Sequence, residues 1–110
     1  MKEYIQVVTT IDNRDTALKI ADELVKKRLA GCVQVMGPIT STYWWNDKIE
    51  SSSEWQIVIK TGAKIYKKIE KAIKELHPYE TPEIIALPII DGSKDYLNWL
   101  GDTLEDKNQV

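Results

Sequence analysis

A chain of 110 residues with 43% hydrophobic and 29% charged side chains is long enough for one two-layer core, a single domain over residues 1–110, and too short for two. Lys+Arg 15 against Asp+Glu 17 leaves a formal net charge of -2, which excludes a general nucleic-acid binder, since that needs a basic footprint to displace counterions from phosphates. One cysteine, Cys32, excludes an intramolecular disulfide and a cysteine-based structural zinc, and no stretch approaches the roughly 18 consecutive apolar residues required for direct membrane insertion.

Tyr4 to Thr10 are rich in strand formers and read as a first strand rather than a signal peptide, so a reducing, cytoplasmic location is expected. Asp12 or Asn13 then caps a helix in which Ala17, Leu18, Ala21, Leu24, Val25 and Leu29 recur at spacings of three and four, and Gly31 supplies its stop. Cys32 to Met36 alternate as a second strand, Gly37-Pro38 bends or interrupts it, and Thr40 to Trp45 resume it with β-branched and aromatic residues. Asn46-Asp47 turns the chain into a return arm that ends with Trp55, Ile57 and Ile59 on one face and Gln56, Val58 and Lys60 on the other.

Ile65, Ile69, Ala72, Ile73 and Leu76 form the stripe of a second helix, ended by His77-Pro78 because proline disfavours helical geometry at the residue before it. Glu83 to Ile90 reads as a last strand, which Pro88 assigns to an edge or a bulge. Ser93 caps a short final helix facing inward through Tyr96, Leu97, Leu100 and Leu104, and Asp106 to Val110 are expected to fray. The order βαββαβ plus one helix predicts an α+β fold: a ferredoxin-like sandwich with an extended β-hairpin and an additional C-terminal helix.

The hairpin is too long for the domain that carries it. At about 3.3 Å per residue the arm from Cys32 to Asn46 reaches roughly 45 Å. A globule of this size has a radius of gyration of only about 13 Å. A projecting ribbon with Tyr43, Trp44 and Trp45 near its tip is an aggregation hazard unless covered, and the economical cover is a second copy of the chain.

The histidine lies in Leu76-His77-Pro78-Tyr79-Glu80-Thr81-Pro82-Glu83, a stretch that two prolines keep out of helix. An imidazole and nearby carboxylates offer nitrogen and oxygen donors to a borderline divalent ion such as Cu(II) or Zn(II), although His77 and Glu83 are two ligands where a tight site uses three or four. His77 can equally cap its helix, where a cationic ring favours the dipole. Cys32, between apolar neighbours, reads as core more than as a soft copper ligand. Thr9 and Thr10 can offer hydroxyls to a cleft, and Lys60-Thr61-Gly62 can meet an anion at the start of the second helix. The Lys64 to Lys74 face, interleaved with Glu70 and Glu75, is a solvated surface. No nucleophile-base pair or hydrolase motif is evident, so an enzyme is not expected, nor is an organic cofactor.

Ser41-Thr42-Tyr43-Trp44-Trp45, Lys48-Ile49-Glu50, Lys60-Thr61, the stretch from Leu76 to Ile84, Leu87-Pro88 and Tyr96-Leu97-Asn98-Trp99-Leu100 together resemble the CutA divalent-cation tolerance family, over roughly Tyr4 to Leu104 and in the right order. The resemblance implies a ferredoxin-like protomer in a homotrimer, linked to copper and divalent-cation tolerance and similar in architecture to trimeric PII signalling proteins. For the metal it implies His77 and Glu83. Thr9 and Leu76 stand where some relatives place a cysteine and a second histidine. Two readings follow. Either the trimer binds a divalent metal, with neighbouring subunits completing the ligand set, or clefts between subunits bind a small anionic metabolite beside Lys60, Tyr79 and Trp45.

Overall fold

In the computed structural model, which describes residues 3–105, the chain runs β1 (Tyr4–Ile11), α1 (Arg14–Lys26), β2 (Cys32–Trp45), β3 (Lys48–Gly62), a 3-10 turn (Ala63–Ile65), α2 (Tyr66–Leu76), β4 (Ile84–Ile89) and α3 (Lys94–Thr103). The strands form one antiparallel sheet of order β2-β3-β1-β4, the ferredoxin-like arrangement predicted from the element order. Asp106 to Val110, expected to fray, lie outside the described residues.

Period-two alternation divides the sheet. Val7, Thr9 and Ile11 of β1 lie opposite Ile59, Ile57 and Trp55 of β3, and this face meets the helices: Val7, Ile11, Ile57 and Ile59 share a core cluster with Ile20, Leu24, Ile69 and Ile73. Each such fully buried aliphatic side chain contributes about 1.5–3 kcal/mol of transfer free energy. The stripe that α1 buries is Ala17, Ile20 and Leu24. Leu18 and Val25, expected inward, are 40% and 44% exposed, because the helix is rotated to seat Ile20 on the sheet.

Caps account for the helix boundaries. Asn13 Oδ1 accepts from the Thr16 amide at 3.0 Å and Ser93 Oγ from the Tyr96 amide at 3.2 Å. The stop of α1 is not Gly31. The helix ends at Lys26, and Arg28 takes the left-handed conformation, φ 56°, with its amide returning to the Val25 carbonyl. Gly31 serves packing instead: a Cβ there would collide with Thr103 Oγ1 and Leu100 Cδ1, so its absence lets α3 close over this end of the core. Leu100 and Leu104 point inward as expected, whereas Tyr96 is 39% exposed.

β1 reaches only as far as Trp55 on β3, so Lys48 to Glu54 pair with β2 alone. The result is a two-stranded ribbon that takes the long axis of the molecule to 44 Å. Asn46 and Asp47 both have positive φ, 49° and 62°, the geometry of a tight hairpin turn whose twist matches the strands. The register shifts between Met36 and Ile39 around a cis Gly37-Pro38 peptide. A Cβ on Gly37 would lie 2.7 Å from the Trp55 ring, so glycine is required there by close approach.

The second face of the sheet carries no α1 or α2. Val8 and Val58 are buried at its centre, but Met36, Ile85 and Leu87 are 46%, 49% and 42% exposed. β4 is an edge strand, as Pro88 predicted.

Candidate functional site

Where the ribbon leaves the sheet, a depression of about 750 Å³ opens between it and the loop joining α2 to β4. The ribbon contributes Tyr43, Trp45, Glu50 and Glu54, and the loop contributes Tyr79, Glu80 and Glu83. Thr10, the next residue after the core-facing Thr9, also lines it. Among the described residues that line it, four are glutamates and none is a lysine or arginine, so the field inside favours cations.

His77 holds the loop in place. It is buried, its amide caps α2 by donating to the Ile73 carbonyl at 2.8 Å, and its ring turns inward to β1. Nε2 donates to the Thr10 carbonyl at 2.7 Å, while Nδ1 accepts from the Tyr79 amide at 3.1 Å. A carbonyl can only accept and an amide N–H only donate, so these two bonds select the tautomer protonated at Nε2. Neither nitrogen has a lone pair free for a metal in this arrangement, and the ring is not the cationic cap considered from the sequence. Tyr79 packs edge-on to it, ring centroids 4.6 Å apart.

Tyr79 links the loop to the ribbon. Its hydroxyl donates to Glu54 Oε2 at 2.9 Å, and burial, followed by the hydrogen bond and charge of Glu54, pushes its ionisation well above the usual phenol range. A phenol whose folded-state pKa is raised stabilises the fold below the ordinary value near 10 and loses that contribution as pH climbs above it. Stability is therefore expected to fall from about pH 10 upward, and the fall to be shallower in Tyr79→Phe. Alkaline titration of phenolate absorbance should show the last-ionising tyrosine missing from that variant; an unchanged titration would remove Tyr79 from this role.

The sequence-predicted residues divide. Glu83, Tyr79 and Trp45 come together at the depression, with His77 behind them. Lys60 does not join them: it lies on the same sheet face but farther along β3, its Nζ donating to Gln34 Oε1 at 3.2 Å and sitting 5.9 Å from the Tyr96 ring. Cys32 is its half-buried cross-strand partner. Lys60-Thr61-Gly62 is no anion cradle, because the Thr61 hydroxyl donates to the Leu29 carbonyl at 2.6 Å and the Ala63 amide to the Glu3 carbonyl. Thr9 faces the core with its hydroxyl buried and without a hydrogen-bond partner among the described residues, while Thr10 reaches the depression. The ribbon aromatics also separate by alternation: Tyr43 and Trp45 line the depression, and Trp44, opposite Ile49, points the other way at 71% exposure.

Sequence reasoning missed Glu54. In the strand pattern it is one more polar residue, and its partner Tyr79 is 25 positions away. Among the described residues, no group of three or more His, Cys, Asp or Glu is arranged to hold a metal ion.

Fold and site together define a small ferredoxin-like α+β protein with a projecting ribbon and an acidic, aromatic-walled depression at its root. Residues 5–103 match the family described as CutA1 divalent ion tolerance protein. A divalent-cation tolerance protein CutA from Thermus thermophilus is 39% identical over 94 residues, 86% of this chain and 91% of the relative. One from Archaeoglobus fulgidus is 36% identical over 105 residues, 96% and 100% of the two chains. The crystal structure of CutA1 from Shewanella sp. SIB1 superposes with a TM-score of 0.92 at 39% identity, covering 94% of this chain and 97% of that one. The chain belongs to the CutA1 divalent ion tolerance family.

Proposed function

We propose that this protein acts in divalent-cation tolerance as a homotrimer that binds Cu(II) or another divalent cation at the acidic depression, with Glu83 as a ligand. One observation carries the reading: among the described residues, four glutamates and no basic residue line the cavity. Family membership supports a cation-binding role over an enzymatic one. The described residues of one protomer hold no complete donor set, so neighbouring protomers supply the remaining ligands. His77, with both ring nitrogens engaged, serves as the positioning residue that pins the Glu80 and Glu83 loop to β1.

Self-association is supported by the exposed apolar residues of the second sheet face and by Trp44 and Ile49 on the outer face of the ribbon. The number three comes from the family resemblance of the sequence motifs. A PII-like site for an anionic metabolite would need a positive lining, and Lys60, the cation assigned to it, is committed to Gln34 and Tyr96 elsewhere.

Calorimetric titration of Cu(II) is expected to give stoichiometric binding to wild type and binding at least about tenfold weaker to Glu83→Gln, roughly 1.4 kcal/mol. Titration with ATP should be silent. Equal copper affinity in the two proteins would refute the ligand assignment.

A further inference from the structure

We propose that the inner end of the depression, formed by Glu54, Tyr43, Trp45 and Tyr79, binds the amine or guanidinium group of an organic cation. This rests on reading the depression as a cation site and assigns a second class of cation to it. Glu54 is only 6% exposed, yet it lines the cavity. One of its oxygens accepts from the Tyr79 hydroxyl, a neutral donor, and no ion pair among the described residues includes it. A carboxylate buried to this degree is costly unless a positive charge meets it, and the open space beside Glu54 is the cavity that it lines.

The walls select the kind of positive charge. Tyr43 and Trp45 share the ribbon face of Glu50, and Tyr79 stands across from them on the loop. Aromatic faces attract alkylammonium and guanidinium groups, whereas a hard divalent ion wants several converging oxygens that rings cannot supply. The exposed carboxylates Glu50, Glu80 and Glu83 lie farther out, available to a metal or to a second positive group of the same ligand. A cavity of about 750 Å³ has room for a small organic molecule beside an ion held at its outer carboxylates.

Agmatine, which carries both a guanidinium and an amine, is the probe, titrated calorimetrically at low ionic strength. Wild type is expected to bind it stoichiometrically. Glu54→Gln, which can still accept from Tyr79, should bind at least about tenfold more weakly, and Trp45→Ala, altering a half-exposed residue, several-fold more weakly. A blocked Gly-Arg-Gly peptide forms the second arm: binding by both probes assigns the site to a presented side chain as well as a free molecule, and binding by agmatine alone assigns it to a small molecule. Silence toward both probes, or equal affinity in Glu54→Gln and wild type, overturns the proposal. The metal reading fails separately, through Glu83→Gln and copper. Sedimentation of each variant verifies that assembly is unchanged.

Discussion

Sedimentation of the wild-type chain at micromolar concentration is expected to return three times the 12.6 kDa protomer mass, and Trp44→Glu or the double variant Ile85→Glu/Leu87→Glu to return the protomer alone. The substituted side chains are exposed, Trp44 by 71%, so a charge there costs the isolated fold little. Covering Trp44 removes apolar surface worth about 3–4 kcal/mol per copy, and a glutamate in its place must be desolvated instead. The two sets of variants probe different surfaces, the outer face of the ribbon and the open face of the sheet. A wild-type protein that sediments as 12.6 kDa would refute the homotrimer, and variants that remain assembled would refute these two surfaces as its interface.

His77→Ala is expected to lower unfolding free energy by about 2–4 kcal/mol, among the larger single-residue effects in the protein. The substitution empties a buried position and leaves the Thr10 carbonyl and the Tyr79 amide without their partners. His77→Gln, able to donate and accept, should recover part of the loss. Denaturation must be compared at equal protomer concentration, because assembly adds to apparent stability by mass action. The same pair of variants separates positioning from ligation: if His77 only anchors the loop, copper affinity should follow stability and return in His77→Gln. Loss of copper binding in a His77→Gln protein of near wild-type stability would make the imidazole a direct ligand. A stability change below about 0.5 kcal/mol in His77→Ala would remove the anchor altogether.

Ser93, Asn13, the Asn46-Asp47 turn and the edge position of Pro88 were legible because each is a local matter: a cap, a tight turn or a missing N–H acts within a few residues of itself. The same locality misled at Gly31, where the stop of α1 was taken by Arg28 and the glycine answered to Leu100 and Thr103 on a helix at the far end of the chain. It misled again at Lys60, which shares a strand face with Glu50 and Glu54 but lies six residues beyond Glu54 along β3, at the end away from Tyr79 and Trp45.

By itself the sequence determined the element order, the excess length of the ribbon, the family motifs and the presence of His77 and Glu83 in one proline-bounded loop. Tertiary structure decided what those residues do. Both nitrogens of His77 are consumed by β1 and by its own loop, and Glu54 becomes a buried carboxylate facing a cavity only because ribbon and loop close over it. Periodicity sets which way a side chain points, but hydrogen-bond saturation and burial depend on groups brought together from distant parts of the chain.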